Sequence, residues 1–222
     1  MTMGWWRDHV VPRMADRFLD TDELHRLRAQ VCDGLHGHVV EVGFGSGLNA
    51  QHYPPSVRSV AAVEPSDLAW RMAQTRIAAT TAEVIRAGLD GQRLHLPDAS
   101  VDSALSTFTM CTIADLDLAL LELTRVLRPG GRLHFVEHGR SDEPRVARWQ
   151  DRLQPVHGRL AGGCHIDRPI AEHLARSGLH VEQLDTTYGQ GPKPFGFRYV
   201  GSASKAHARG AARADVADGG PL

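Results

Sequence analysis

A glycine-rich turn that follows a short apolar run is the first place in the chain where chemistry could take place. It has the sequence Glu41-Val42-Gly43-Phe44-Gly45-Ser46-Gly47. Glycine tolerates positive φ and lets a ligand approach the backbone closely, and a helix starting here would offer free N–H groups. Dinucleotide-binding folds use the spacing GxGxxG, whereas this turn has GxGxG after an acidic residue. The carboxylate of Glu41 therefore suits a cationic ligand, although a purely structural turn stays open.

Two more acidic residues follow apolar runs further along the chain. Glu64, followed by Pro65, can accept two hydrogen bonds from ribose hydroxyls, a device that NAD enzymes also use. Asp90, followed by Gly91, comes two positions after the next run, which ends at Gly88. Each could instead be a solvated strand-end acid or a loop cap, and Glu64 supports adenosine binding without choosing the cofactor.

Histidines and cysteines supply the remaining reactive side chains. His138 ends a predicted strand, and His165 is close to Asp167, which could orient it, so both are candidate general bases together with His157. The chain has 13 histidines, and packing or surface roles stay open for each. The three cysteines, at positions 32, 111 and 164, form no CxxC pair. This spacing predicts neither a disulfide framework nor a zinc site, and it favours a reducing cytoplasm.

The elements that must position these residues alternate between strand and helix. The first 36 residues have helical spacing, and five β-branched runs then begin near residues 38, 59, 82, 101 and 132 with helical stretches at 67–78 and 116–127. Two more runs, 179–187 and 195–202, are joined by the turn GQGPKP. The pattern predicts an α/β sheet of seven strands, mostly parallel with an antiparallel edge strand, and helices on both faces.

Three parts of the chain have distinct compositions. We expect an N-terminal helical lid at residues 1–36, a ligand-binding domain at 37–204 and a disordered tail at 205–222, where large apolar residues are almost absent. The segment 144–169 fits poorly as a regular crossover and contains Trp149, His157, Cys164 and His165. Such insertions are often functional, so the segment is expected to help select the substrate.

Two longer phrases carry a family resemblance. Residues 90–102, DGQRLHLPDASVD, and residues 123–133, LTRVLRPGGRL, resemble class I methyltransferases that use S-adenosylmethionine (SAM). The resemblance implies that Asp90 accepts from the adenine amino group, that the Gly91 N–H meets the ring, and that the loop around Thr109 contacts the methionine part. The full predicted SAM-binding set is Glu41, Gly43, Gly45, Gly47, Asn49, Glu64, Pro65, Asp90, Gly91, Thr107 and Thr109.

A narrower resemblance covers residues 36–205. The phrases FGSGLN, FVEH, GCH and the ending from Gly196 to Lys205 look like the methyltransferase-like seven family. Those proteins are thiol S-methyltransferases, some of them membrane-anchored. The hydrophobic N-terminal anchor of that family is not expected here, so membrane attachment is not carried over. Trp5 and Trp6 are expected either to cover the acceptor or to pack on the core.

Composition narrows the choice of partner. The formal net charge is −1, from 25 basic and 26 acidic residues, which disfavours nucleic acid. No apolar run approaches the roughly 18 residues of a membrane span. We therefore predict SAM-dependent methyl transfer to a small molecule, a thiol or other soft nucleophile first. The alternatives are O- or N-methylation, an NAD-linked oxidoreductase and a non-catalytic SAM-binding protein. The sequence does not indicate the oligomeric state.

Overall fold

The structure is a computed structural model that describes residues 3–207. Most of the predicted disordered tail, residues 208–222, lies outside the described residues. The first residues of that tail are ordered against the sheet. The Lys205 backbone N–H donates to the Gly131 carbonyl at 2.9 Å, and its Nζ donates to the Leu127 carbonyl at 2.8 Å.

Seven strands form one sheet in the order β3-β2-β1-β4-β5-β7-β6. Their bounds are β1 Gly37–Val42, β2 Val57–Val63, β3 Glu83–Gly88, β4 Val101–Thr107, β5 Leu127–His138, β6 His180–Tyr188 and β7 Phe197–Ser204. The first five strands pair in parallel, and β7 is antiparallel to both of its neighbours. The predicted fold class is confirmed.

Helices cover both faces of the sheet. They are α1 Met3–His9, α2 Val11–Leu19, α3 Asp22–Cys32, α4 Asp67–Ala79, α5 Leu116–Val126, α6 Pro144–Leu160, α7 Ile170–Arg176 and α8 Lys193–Gly196. Alternate residues of β1 enter opposite cores, Val40 on one face and Val39 on the other, as a strand buried on both sides requires. Between residues 3 and 207, no helix is long and apolar enough to cross a membrane.

The segment 144–169 is more regular than the sequence predicts. Residues 144–160 form the helix α6 despite the internal Pro155. Proline removes one backbone hydrogen bond and disfavours a helical residue before it, so the local sequence opposes a helix here. The helix is amphipathic and buries Val146, Ala147 and Gln150, and this packing outweighs the local cost. Only the short connection between α6 and α7 is irregular.

The strand order reverses direction between β1 and β4. The chain leaves β1 towards β2 and β3 on one side, and it leaves β4 towards β5 on the other. The connections therefore diverge and open a crevice at the carboxyl ends of these two strands, which is where open α/β sheets bind ligands.

Candidate functional site

A cavity of about 530 Å³ occupies this crevice. Its floor is the glycine-rich turn after β1, and its sides are the residues that follow β2, β3 and β4. The N-terminal helices α1, α2 and α3 form the remaining side, to which they contribute residues that include Asp16 and Arg28. The cavity thus combines four strand ends with the N-terminal helices.

The cavity brings together most of the predicted cofactor-binding residues. Those that line it are Gly43, Gly45, Asn49, Glu64, Pro65, Asp90, Gly91, Thr107 and Thr109. Four predicted site residues are not in its lining, namely Glu41, Gly47, His138 and His165.

The glycines of the turn do different jobs. A Cβ added at Gly45, where φ is +59°, would meet only the Gly43 carbonyl at 3.9 Å, so this position needs glycine for its backbone and for the space above it. A Cβ at Gly43 would overlap the Thr109 side chain, and one at Gly47 would lie 3.3 Å from Ala73 of α4. Gly43 and Gly47 therefore allow close packing, whereas Gly45 leaves room for a ligand.

The two acids at the strand ends are held by nearby amide groups. Glu64 accepts from the backbone N–H groups of Gly45 and Ser66, each at 2.7 Å. Burial raises the pKa of Glu64, and these two hydrogen bonds oppose that shift. Asp90 accepts from the Gln92 backbone N–H at 2.9 Å, and its side chain is exposed. Both carboxylates are acceptors on the cavity wall, as nucleoside hydroxyl and amino groups require.

The position of Glu41 corrects the prediction that its carboxylate meets the ligand directly. Glu41 is fully buried behind Asn49, whose Nδ2 donates to it at 2.9 Å, and the Tyr53 hydroxyl also donates to it. Burial raises the pKa of Glu41 to about 7, while Tyr53, Asn49 and the charge of Arg28 lower it. Its contacts make it a support for Asn49, one layer behind the cavity.

Arg28 is a cavity residue that the sequence analysis missed. It lies on α3 and is only 2% exposed, and its guanidinium donates to Asn49 at 2.8 Å and to Thr107 at 2.7 Å. Its Nε is buried without a hydrogen-bond partner. A buried cation with an unused donor beside a cavity is suited to an anionic ligand group. In the sequence it stands among other charged residues of an amphipathic helix, so nothing marks it as buried.

Phe108 is the second residue that the sequence analysis missed. Its φ of +54° is unusual for a bulky residue, and its ring lies 5.4 Å from the Arg28 guanidinium and 4.8 Å from the His138 ring. The Phe108 ring therefore contacts both Arg28 and His138 and lines the cavity. No local sequence signal predicts a positive φ at a phenylalanine.

Glu137 holds the loop after β4 from behind. It is fully buried at the end of β5, and its Oε1 accepts from the Ser106 hydroxyl at 2.7 Å and from the Thr109 backbone N–H at 3.0 Å. Burial raises its pKa to about 7, against the lowering effect of these donors. The placement of Thr109 in the cavity therefore depends on a carboxyl group that titrates near neutral pH.

Replacing Glu137 with glutamine should flatten the pH dependence of stability. Because the folded pKa is about 7 and the unfolded value is about 4.3, the folded protein keeps a proton that the unfolded chain loses between these values. The stability from this group is full below pH 4 and is lost as the pH rises through 7. Between pH 5 and pH 8 the free energy of unfolding, measured by urea denaturation, should fall by about 2–3 kcal/mol more in the parent protein than in Glu137→Gln. Glu83→Gln, at an exposed position of β3, should keep the parent slope; an unchanged slope in Glu137→Gln contradicts the assignment.

The two candidate bases lie outside the cavity lining and on different elements of the fold. His138 packs on Phe108, while His165 is on the connection after α6, where its Nδ1 is 3.7 Å from Asp167 and 3.2 Å from Gln154.

Trp5 and Trp6, which were expected either to cover the acceptor or to pack on the core, lie beside the cavity-lining residues without lining the cavity themselves. Trp6 donates to the Leu160 carbonyl at 3.0 Å, and Trp5 stacks on His9. Neither tryptophan lines the cavity.

The chain is similar in sequence and in fold to known methyltransferases. The family described as "Methyltransferase domain" matches residues 40–135. The thiol S-methyltransferase TMT1B of Mus musculus is 32% identical over 185 residues, which are 79% of this chain and 73% of that protein. TMT1B of Rattus norvegicus is 30% identical over 73% of this chain, and the match spans 66% of that relative's length, just under two thirds. A solved SAM-dependent methyltransferase from Aquifex aeolicus superimposes with a TM-score of 0.60 at 16% identity, covering 87% of this chain and 97% of that one.

Proposed function

The chain belongs to the class I SAM-dependent methyltransferases, with thiol S-methyltransferases of the TMT1 type among its relatives, and on that premise we propose that it methylates a small thiol. The observation that carries this proposal is the cavity: Glu64 and Asp90 follow β2 and β3 on one side of β1, and the buried Arg28 donates to Thr107 at the end of β4 on the other side. SAM has an adenosine at one end and an amino-acid carboxylate at the other, so its polarity matches this distribution.

The residues of the cavity fit SAM as the methyl donor. Asp90 and Glu64 present carboxylate oxygens, which would accept from the adenine amino group and the ribose hydroxyls. Arg28 lines the cavity with a buried guanidinium, which would donate to the amino-acid carboxylate. The open space above Gly45 would take the chain that joins the two ends. The donor supplies an activated methyl group on a sulfonium.

The protein's contribution to the reaction is to hold the partners in line and to exclude water. Glu64, Asp90 and Arg28 would hold the donor, and the chemistry it would supply is in-line displacement of its methyl group by an acceptor sulfur that has lost its proton to solvent. A displacement of this kind gains most from orientation, which the backbone of the turn and the loop at Thr107–Thr109 would provide. We propose that α1, α2 and α3 act as the lid, because they already form one wall of the cavity.

A thiol acceptor needs no base on the enzyme. A thiol with a pKa near 8.5 is partly ionised at neutral pH, and the thiolate is the nucleophile. An alcohol acceptor would need proton removal by a side chain. For that second function His138 is the better placed base, since it packs on the cavity residue Phe108, and His165 with Asp167 is the other candidate.

The proposed function is tested by the pH dependence of methyl transfer to a series of thiols. With labelled SAM and acceptors of different thiol pKa, the midpoint of the rise in kcat/KM should follow the pKa of the acceptor. A midpoint that is the same for every acceptor and moves in His138→Gln would indicate an enzyme base instead. SAM binding with no transfer to thiols, alcohols or amines would support the non-catalytic alternative.

Glu64→Gln should weaken SAM binding without unfolding the turn. The amide keeps one oxygen to accept from Gly45 or Ser66, but it loses an acceptor for the ribose hydroxyls. A lost hydrogen bond to a buried charged group costs about 1–3 kcal/mol, so the Kd should rise by roughly 5- to 150-fold in calorimetry. Asp67→Asn, an exposed neighbour at the start of α4, is the matched control and should bind normally. Normal SAM binding by Glu64→Gln would show that Glu64 does not contact SAM.

We also propose a cytoplasmic location and a small-molecule acceptor as the partner. All three cysteines are buried free thiols, which suits a reducing compartment. The near-zero formal charge of the chain provides no basis for binding nucleic acid.

A further inference from the structure

Two cysteines and a histidine from three distant segments converge beside the cavity. Cys111 follows β4, His138 ends β5 and Cys164 lies on the connection after α6. Their ligand atoms, the two Sγ and one imidazole nitrogen, all lie within 4.8 Å of one another, and the two Sγ atoms are 3.3 Å apart. Within residues 3–207 this is the only such grouping of three or more His, Cys, Asp or Glu residues.

The cluster has the burial of a built site. Cys111 is 1% exposed and Cys164 is 7% exposed, and they pack with Ile166, Leu153 and Ala161 in a small apolar shell. His138 is partly exposed and forms the remaining side. Two sulfurs and an imidazole in an apolar pocket form a soft donor set.

The backbone around both cysteines is fixed by hydrogen bonds. The Cys111 carbonyl accepts from the His165 N–H at 2.8 Å, and the Cys164 carbonyl accepts from the Gln154 amide at 3.0 Å. The Cys164 N–H donates to the Ala161 carbonyl at 3.2 Å. These bonds are independent of the thiols, so they hold the sulfurs close together whether or not the thiols are ionised.

We propose that Cys111, Cys164 and His138 bind a thiophilic divalent cation of the zinc type. Zinc and related ions take cysteine sulfur at about 2.3 Å and histidine nitrogen at about 2.0–2.1 Å, and two cysteines with one histidine is a known three-ligand set. Binding would release the two thiol protons to solvent, and two thiolates with a neutral imidazole leave the ion with no net charge. This neutrality matters because an uncompensated charge would be costly in the apolar shell.

The ion would join three segments that reach the cavity. Thr112, next to Cys111, and Gly162, close to Cys164, line the cavity, and His138 packs on Phe108. In this site His138 is a metal ligand, and a nitrogen that binds a cation cannot also be the base of the alternative function. The inference does not depend on methyl transfer, because its donor set and its test concern the ion alone.

Cobalt binding to the reduced full-length protein tests the proposal. With a phosphine reductant present, one equivalent of Co²⁺ should give a thiolate-to-cobalt charge-transfer band and intense visible bands typical of four-coordination. Added Zn²⁺ should displace the Co²⁺, abolish these bands and raise the Tm of the protein. Cys111→Ser, Cys164→Ser and His138→Gln should each lower the affinity by at least about 100-fold, since loss even of an outer-shell partner costs about 10–100-fold.

The controls distinguish the loss of a metal-binding side chain from unfolding of the variant protein. Cys32→Ala removes the third buried cysteine, which lies on α3 outside the cluster, and should leave the cobalt spectrum unchanged. If a serine variant does not fold, His138→Gln and the metal-induced Tm shift of the parent protein still decide the matter. A reduced, folded parent protein without a charge-transfer band or a Tm shift would overturn the proposal, as would a spectrum that survives in His138→Gln and moves in Cys32→Ala.

Discussion

Gly45→Val should abolish SAM binding while the protein stays folded. The added Cβ would point away from the protein, with the nearest atom 3.9 Å away, and so into the space that the proposed donor occupies. Valine at a φ of +59° also strains the backbone, at a cost of about 1–2 kcal/mol in stability. We expect the Kd for SAM to rise by more than about 100-fold in calorimetry, because the ligand and the side chain cannot share the space.

The strain and the steric effect are separated by Gly178→Val. Gly178 lies between α7 and β6, has a φ of +80° and has no atom within 4 Å of an added Cβ. It therefore pays a similar conformational cost but does not line the cavity. The two variants should lose similar stability in thermal unfolding, while only Gly45→Val loses SAM. Equal binding by both would show that the turn does not hold the donor.

Arg28→Met should weaken SAM binding by about 10- to 100-fold, which is the effect expected for charge-assisted hydrogen bonds worth roughly 1.5–3 kcal/mol. Methionine keeps much of the length of the side chain but removes the unused Nε and the charge. The sharpest readout uses decarboxylated SAM, which lacks the amino-acid carboxylate. The parent protein should bind this analogue weakly, and Arg28→Met should bind it no more weakly than the parent does.

A second buried arginine provides the control for stability. Arg198 of β7 is 6% exposed, pairs with Glu23 at 2.7 Å and also has an Nε without a partner, but it is not in the cavity lining. Arg198→Met should cost similar stability and leave the affinity for SAM unchanged. If Arg28→Met discriminates against decarboxylated SAM as strongly as the parent protein does, then Arg28 does not contact the carboxylate.

The parts of the fold that the sequence predicted are those with local causes. Strands and helices were identified by the spacing of apolar residues and by Gly and Pro at their ends, as at the glycine-rich turn after β1. The cavity acids Glu64 and Asp90 could be placed because each lies within two residues of the end of a strand, and parallel strands bring their carboxyl ends to one edge. The helix α6 was not predicted; its internal Pro155 opposes a helix locally, while its packing supports one.

The sequence by itself determined the fold class, the glycine turn and the acids at the strand ends, since each depends on residues that are neighbours in the chain. Only the tertiary structure decided that Glu41 supports the cavity from behind, that Arg28 enters it and that Phe108 turns with a positive φ. It alone brought Cys111 next to Cys164, 53 positions away. The physical reason is that long-range contacts arise from packing between elements, which the periodicity of any one element does not encode.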